Sequence, residues 1–304
     1  MKRFKTLVLG VNYKGVENYA KDYFKSIMNQ DTDQFDLLII NDNTESLEIR
    51  EMNVNVDEIM ISNNNSPAMI RYEGLNYAIR NDYQNLIFSD LDDFFSMNRI
   101  SSSISALQKY DFVFNEIFLT DKNSEIIDEN YFYKICPEKS VDTFNRIIDY
   151  NCFGLSQTGI NLQTIKDFYI PENIIAVDWW IFTIMLLNGA TGKFIDNAIT
   201  YYRQSDHNLV GMKKLLNKNR LKIGIKVKQI HYDNIIKYCS QNNLEIALNS
   251  YALRKDGMLE LELALKDLDF QKRYIDIINS NLDDLYCGWW SEIIDLKAWR
   301  KYAN

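Results

Sequence analysis

Histidine is nearly missing from this chain: its 304 residues include only His207 and His231. A multi-histidine zinc site is thereby excluded, and a Ser-His-Asp triad is poorly supported. The four cysteines (Cys136, Cys152, Cys239, Cys287) lie far apart, with no C-x-x-C pair. That spacing suits reduced, buried thiols in a cytoplasmic protein better than a disulfide framework. Neither G-x-G-x-x-G nor a Walker A loop occurs, so dinucleotide-binding and P-loop readings fall away. No apolar run approaches the roughly 18–20 residues of a membrane span. The basic start MKRFKTLVLGVNY has too short an apolar run, and no small-residue cleavage site, for a signal peptide. Acids outnumber bases by 42 to 34, a formal net charge of −8, which argues against broad nucleic-acid binding.

What remains is globular: 46% hydrophobic and 25% charged residues, enough chain for a large domain with a smaller companion. Short apolar runs alternate with helical spacings over the first hundred residues. FKTLVLGV (4–11) and DLLII (36–40) read as buried strands, Ile59–Ile61 as a shorter one, and Leu86–Ser89 as a fourth. Between them, Val16, Tyr19, Ala20, Tyr23, Phe24 and Ile27 fall at helical spacing, and Ala68–Arg80 reads as a second helix. This β-α-β-α-β order predicts an α/β fold with a mostly parallel sheet flanked by helices. Ligands of such sheets bind beyond the carboxyl ends of the strands. Further on, a helix is expected near Ile104–Lys109, a strand in DFVFNEIFL and a buried helix over Val177–Leu187. Near Met212 the character changes: Met212–His231 holds seven Lys or Arg and no acid. The spacing predicts one domain over 1–211 and a helical region over 212–304.

Two acidic stops fall at strand ends, Asp42 in LLIINDN and the cluster in FSDLDDFF. Asp90, Asp92 and Asp93 repel one another unless a cation or hydrogen-bond donors compensate them. A hard divalent cation prefers oxygen ligands and bridges carboxylates to substrate phosphates; the alternative is a solvated acidic turn or a helix N-terminus. Asp42 is placed to accept from a nucleobase imide or a ribose hydroxyl, or simply forms an Asn-Asp-Asn turn. Arg71, early in a helix, would contact phosphate, brace the acids, or lie on the surface. Asp178 in AVDWWIF precedes two tryptophans, an apolar setting that favours a general base and equally suits a helix cap. YYRQSDHNLVG (201–211) gathers Arg203, which would offset leaving-group charge, and His207, which would complete a metal site. A surface loop is the plainer reading.

Taken in order, these segments resemble the family 2 glycosyltransferases of GT-A fold, of the bacterial type that builds surface polysaccharides or glycoconjugates. SIMNQ, LLIINDNTES, SPAMIRYEGLNYAI, IFSDLDDFFSMNRI, AVDWW and YYRQSDHNLVG are similar to that family's successive motifs over residues 4–211. The resemblance implies transfer of a sugar from a uridine or thymidine diphosphate donor, with inversion and with Mn²⁺ or Mg²⁺. By position it implies that Asp42 reads the base, Asp90 the ribose or metal, and that Asp92 ligates the metal. Asp93 would orient acceptor or sugar, Asp178 would deprotonate the acceptor hydroxyl, and Trp179 and Trp180 would wall the acceptor pocket or pack in the core. Two departures stand out. Ser205 occupies the place of the family histidine, with His207 two residues later, and Gly10-Val11-Asn12-Tyr13 replaces a Pro-Thr-Tyr-Asn-like turn.

The region after 211 lies outside the resemblance. Its basic stretch reads as a solvated helix face, with anionic lipid or a lipid-diphosphate acceptor as the alternative. The aromatic tail LYCGWWSEIIDLKAWRKY is expected to pack as a helix on the core, with a second subunit or a membrane surface as other docking places. The partners implied are therefore a nucleotide sugar, a glycan, lipid-linked or protein acceptor, no nucleic acid, and the inner face of a membrane or a homodimer contact. A sugar-nucleotide pyrophosphorylase and a non-catalytic scaffold are the competing functions. GVNYKGVENY is a poor match to the glycine-rich basic loop of the former, and the intact acids count against the latter.

Overall fold

The computed structural model describes residues 4–44, 54–61, 66–165, 168–204, 215–285 and 287–303. They form two compact units that interleave along the chain. The first comprises Met1–Thr143, Phe153–Glu172 and Asn188–His207; the second comprises Phe144–Cys152, Asn173–Leu187 and Asn208–Asn304. No single cut at residue 211 separates them, because the segment carrying Asp178 groups with the C-terminal helices.

The first unit is built on one sheet. Its strands are β1 (Thr6–Asn12), β2 (Asp36–Asp42), β3 (Val56–Ile61), β4 (Asn85–Phe88), β5 (Phe94–Phe95), β6 (Phe112–Thr120), β7 (Ile126–Asp128), β8 (Ser140–Val141), β9 (Thr158–Asn161) and β10 (Gly192–Arg203). The order is β3-β2-β1-β4-β9-β6-β10-β5, with β7 on β6 and β8 on β10. The four strands β3, β2, β1 and β4 run parallel, as the sequence predicts. Beyond them β9 enters antiparallel between β4 and β6, and β10 returns parallel to β6. All seven residues of β1 are buried, which is why TLVLGVN reads as a continuous apolar run instead of an alternating one.

Helices α1 (Ala20–Met28), α2 (Pro67–Arg80), α3 (Arg99–Leu107) and α4 (Tyr131–Ile135) belong to this unit. Val8, Tyr23, Phe35, Leu37, Ile39, Ile87, Leu91 and Ile100 close one face of the sheet, each full burial of an aliphatic side chain stabilising by about 1.5–3 kcal/mol. The Ser66 hydroxyl caps α2 by accepting the Met69 N–H at 3.3 Å, with Pro67 at the first helical position. Gly74 lets α2 approach the sheet closely, since a Cβ there would lie 2.6 Å from Leu9 Cδ2. That approach brings Arg71, one turn earlier, to the carboxyl end of β4. Helix α3 begins five residues before the expected Ile104, because its polar RISSS turn faces inward through Arg99 and Ser103.

The second unit is helical: α5 (Val177–Leu187), α6 (Lys218–Gln241), α7 (Glu245–Ala264), α8 (Leu268–Ser280), α9 (Leu282–Leu285) and α10 (Leu296–Ala303). Helix α5 is buried nearly all round, as the apolar WWIFTIMLL predicts. The basic stretch is not uniformly a solvated face. Arg220 and Lys228 are buried: Arg220 Nε donates to Glu292 Oε1 at 2.7 Å, and Lys228 Nζ donates to the carbonyls of Asp149 and Ile293. Burial lowers the Lys228 pKa to about 8.

Candidate active site

Because β1, β2 and β4 are parallel neighbours, their carboxyl ends open on one edge of the sheet. Tyr13 follows β1, Asp42 ends β2, and Ser89-Asp90-Leu91-Asp92-Asp93 follows β4. The turn after β4 is held at several points. The Asp90 N–H donates to Ser156 Oγ at 3.3 Å, and Arg71 Nη2 donates to Asp90 Oδ1 in a half-buried ion pair. The Tyr13 hydroxyl donates to Asp92 Oδ2 at 3.0 Å. Asp93 is buried and accepts the Arg203 backbone N–H at 2.9 Å.

Three acids so close cannot all ionise at no cost. Burial, aided by the charge of Asp90, pushes the Asp92 carboxyl up to about 6. Burial together with Asp92 and Asp90 holds Asp93 well above the usual carboxylate range. Burial and the Asp92 and Asp90 charges likewise raise the Tyr13 phenol, so it stays a hydrogen-bond donor. Asp42, half-buried at the end of β2, is raised by burial alone.

Sequence reasoning assigned no site role to Tyr13, Ser156 or Arg99. Arg99 is fully buried behind the turn, donating to the carbonyls of Phe88 and Ser156 at 2.7 Å each and to Asn115 Oδ1. Burial lowers its pKa to about 10. Tyr13 was the one with a signal: it ends the apolar β1 run at the same sheet edge as the two acidic stops.

Two expected site residues have other surroundings. Trp179 and Trp180 are core residues of the helical unit, 0% and 1% exposed, which corrects their reading as pocket walls. Trp179 stacks on His231 at 3.8 Å and donates Nε1–H to the Ile147 carbonyl. Burial, with Lys228 adding to it, keeps His231 far below its ordinary pKa, hence neutral. Asp178 lies half-buried in the first turn of α5, and its Oδ1 accepts the Trp179 N–H at 2.8 Å. His207 lies outside the described residues.

No protein-family model matches the chain, and no curated protein matches it. Solved structures do. Residues 1–349 of Staphylococcus aureus TarS in complex with UDP-GlcNAc superpose with a TM-score of 0.54 and 17% identity, covering 75% of this chain and 66% of that one. Another structure of TarS 1–349 gives 0.57 and 16%, covering 91% and 79%. Mannosyltransferase PcManGT from Pyrobaculum calidifontis, in complex with GDP-Man and Mn²⁺, gives 0.50 and 10%, covering 100% and 86%. These neighbours are GT-A-type glycosyltransferases. The chain has the GT-A fold. It spans just under two thirds of the UDP-GlcNAc-bound TarS chain, and identities this low carry the fold alone.

On this GT-A frame the donor set beside β4 is all oxygen, the chemistry of a hard cation. Among the described residues no three acid, cysteine or histidine side chains gather round one point. The turn thus offers one or two carboxylates, the number Mg²⁺ takes when substrate phosphates complete its shell. The residues fit such an ion.

Arg203 is a brace in this GT-A chain. Its guanidinium is 1% exposed and donates to the Asp92 carbonyl at 2.8 Å, the Lys122 carbonyl, Ser124 Oγ and Asp22 Oδ2. It also lies 4.5 Å from the Tyr19 ring centroid. With its nitrogens so committed, it positions the acid turn instead of contacting a leaving group. Arg203→Ala would strand the Asp92 carbonyl and leave the cavity of a buried side chain. We expect a loss of about 2–4 kcal/mol from the cavity and the lost hydrogen bonds, read as a lowered urea midpoint in equilibrium unfolding. A variant as stable as the parent would overturn the bracing role.

Proposed function

We propose that this chain is a metal-dependent inverting glycosyltransferase. It moves a sugar from a uridine- or thymidine-diphosphate donor to an acceptor hydroxyl, in synthesis of a surface polysaccharide or glycoconjugate. The observation that carries the reading is the turn Asp90–Asp93: three carboxylates, two with raised pKa, at the carboxyl edge of parallel strands on a GT-A frame. UDP-GlcNAc in TarS and GDP-Man with Mn²⁺ in PcManGT support it by analogy.

Each residue then has a task. Asp42 accepts from the base, and Asp90, oriented by Arg71, from the ribose. Asp92, oriented by Tyr13, is the principal metal ligand, with Asp90 as the second and His207 as a further candidate. Arg71 Nη1, buried and without a hydrogen-bond partner, is available to a phosphate oxygen. Asp93 orients the sugar or acceptor. Asp178 takes the proton of the acceptor hydroxyl as its oxygen bonds to the anomeric carbon. The carbon–phosphate-oxygen bond breaks on the opposite face, and its electron pair leaves with the diphosphate. A divalent cation, when bound, supplies Lewis-acid stabilisation of that departing charge.

A thermal-shift panel tests the reading. Uridine or thymidine diphosphate with Mn²⁺, near 100 times Kd, is expected to raise Tm by roughly 3–5 °C. Either component alone should do much less. Absence of response to every nucleotide would remove the proposal.

A further inference from the structure

Helix α6 carries a second feature, independent of the acid turn. In a chain of net charge −8, the stretch Met212–His231 contains no acid. Arg220 and Lys228 turn into the core, while Lys218, Lys222 and Lys226 are exposed. Spaced four residues apart, they share one helix face at intervals of about 6 Å. Among the described residues none of the three has an ion-pair partner; the next acid on the helix, Asp233, pairs with Lys255. Like charges at this spacing destabilise a helix, and exposed faces commonly relieve that with glutamates, which this one lacks.

Exposed apolar side chains neighbour the lysines along the chain. Leu215, just before the helix, is 67% exposed and Ile223 is 41% exposed. The opposite face is committed: Leu221, Ile225 and Val227 are buried, and Gly224 packs against Ile293 and Trp290.

We infer that this face of α6 docks on an anionic lipid bilayer. Lysines reach anionic headgroups while Leu215 and Ile223 enter the interface, the division of labour of an interfacial amphipathic helix. A soluble polyanion would satisfy the lysines and leave the apolar pair in water. The remainder of the chain is acidic on balance, so the orientation that favours an anionic surface turns this acid-free face toward it. Acids more than a Debye length away, about 10 Å at 0.1 M salt, are screened. None of the described helices is long and apolar enough to cross a membrane, so the contact is at the surface.

Co-sedimentation with vesicles tests this without any sugar donor, so its failure is separate from failure of the proposed activity. The whole chain is expected to pellet with phosphatidylglycerol-containing vesicles, less so as salt rises, and not with pure phosphatidylcholine. The combined variant Lys218→Gln, Lys222→Gln, Lys226→Gln should bind about 100-fold more weakly, with its thermal midpoint and its nucleotide–Mn²⁺ shift retained. Ile223→Ser should weaken binding to a smaller degree. Equal partition onto both vesicle types, undiminished binding by the triple variant, or binding of inorganic polyphosphate without vesicles would each overturn the inference.

Discussion

Asp92→Asn is expected to lower kcat/KM about 10³-fold, the scale of removing one group that stabilises developing charge in a transition state. The same variant should lose the nucleotide–Mn²⁺ thermal shift. Its ligand-free stability should move the other way. The Asp92 pKa, raised from 3.8 to about 6 in the folded chain, means that the native state holds this proton more tightly than the unfolded one. Stability from the protonated form is complete below the unfolded pKa and is lost as pH rises through about 6. At neutral pH the buried carboxylate therefore costs on the order of 2–3 kcal/mol. Asparagine needs no proton, and its amide oxygen still accepts from Tyr13. Without ligand the variant should melt at or above the parent temperature at pH 7, with a shallower pH dependence between about 4 and 6. Asp93 keeps some of that dependence in place. A variant that melts lower at every pH is simply misfolded, and one that keeps the nucleotide–Mn²⁺ shift removes Asp92 from the metal site.

The acid turn was legible because two strong signals coincide there: an apolar run buried on both faces, and its abrupt end in charge. β1, β2 and β4 announce themselves through the first, and Asp42 and Asp90–Asp93 stand out through the second. The supports of the turn carry no such signal. Ser156 lies within a short 3₁₀ turn before β9, a four-residue strand whose antiparallel partners are remote in sequence. Arg99 sits in a serine-rich stretch that looks like surface, yet its charge is buried against carbonyls. Composition likewise cannot sort the cations of α6. Only packing separates Arg220, paired with Glu292, from Lys222 two residues later. Long-range packing decides the tryptophans as well: an acid beside Trp-Trp suggests a pocket, but both rings are consumed by the core of the helical unit.

That outcome narrows what AVDWW can contribute to Asp178 itself. Asp178→Asn is expected to reduce kcat by about 10²–10⁴-fold, the range for loss of a general base. Its donor-induced thermal shift should remain at the parent value. The exchange is conservative in shape: the amide oxygen still accepts the Trp179 N–H, so the start of α5 and the tryptophan core keep their geometry. A defect confined to kcat is then a defect in chemistry. Asp92→Asn and Asp178→Asn thus fail differently, one in metal-assisted donor binding and one after it. Transfer by Asp178→Asn at the parent rate would show that the acceptor proton leaves by another route. The half-buried carboxylate would then be only a favourable charge at the positive end of a helix.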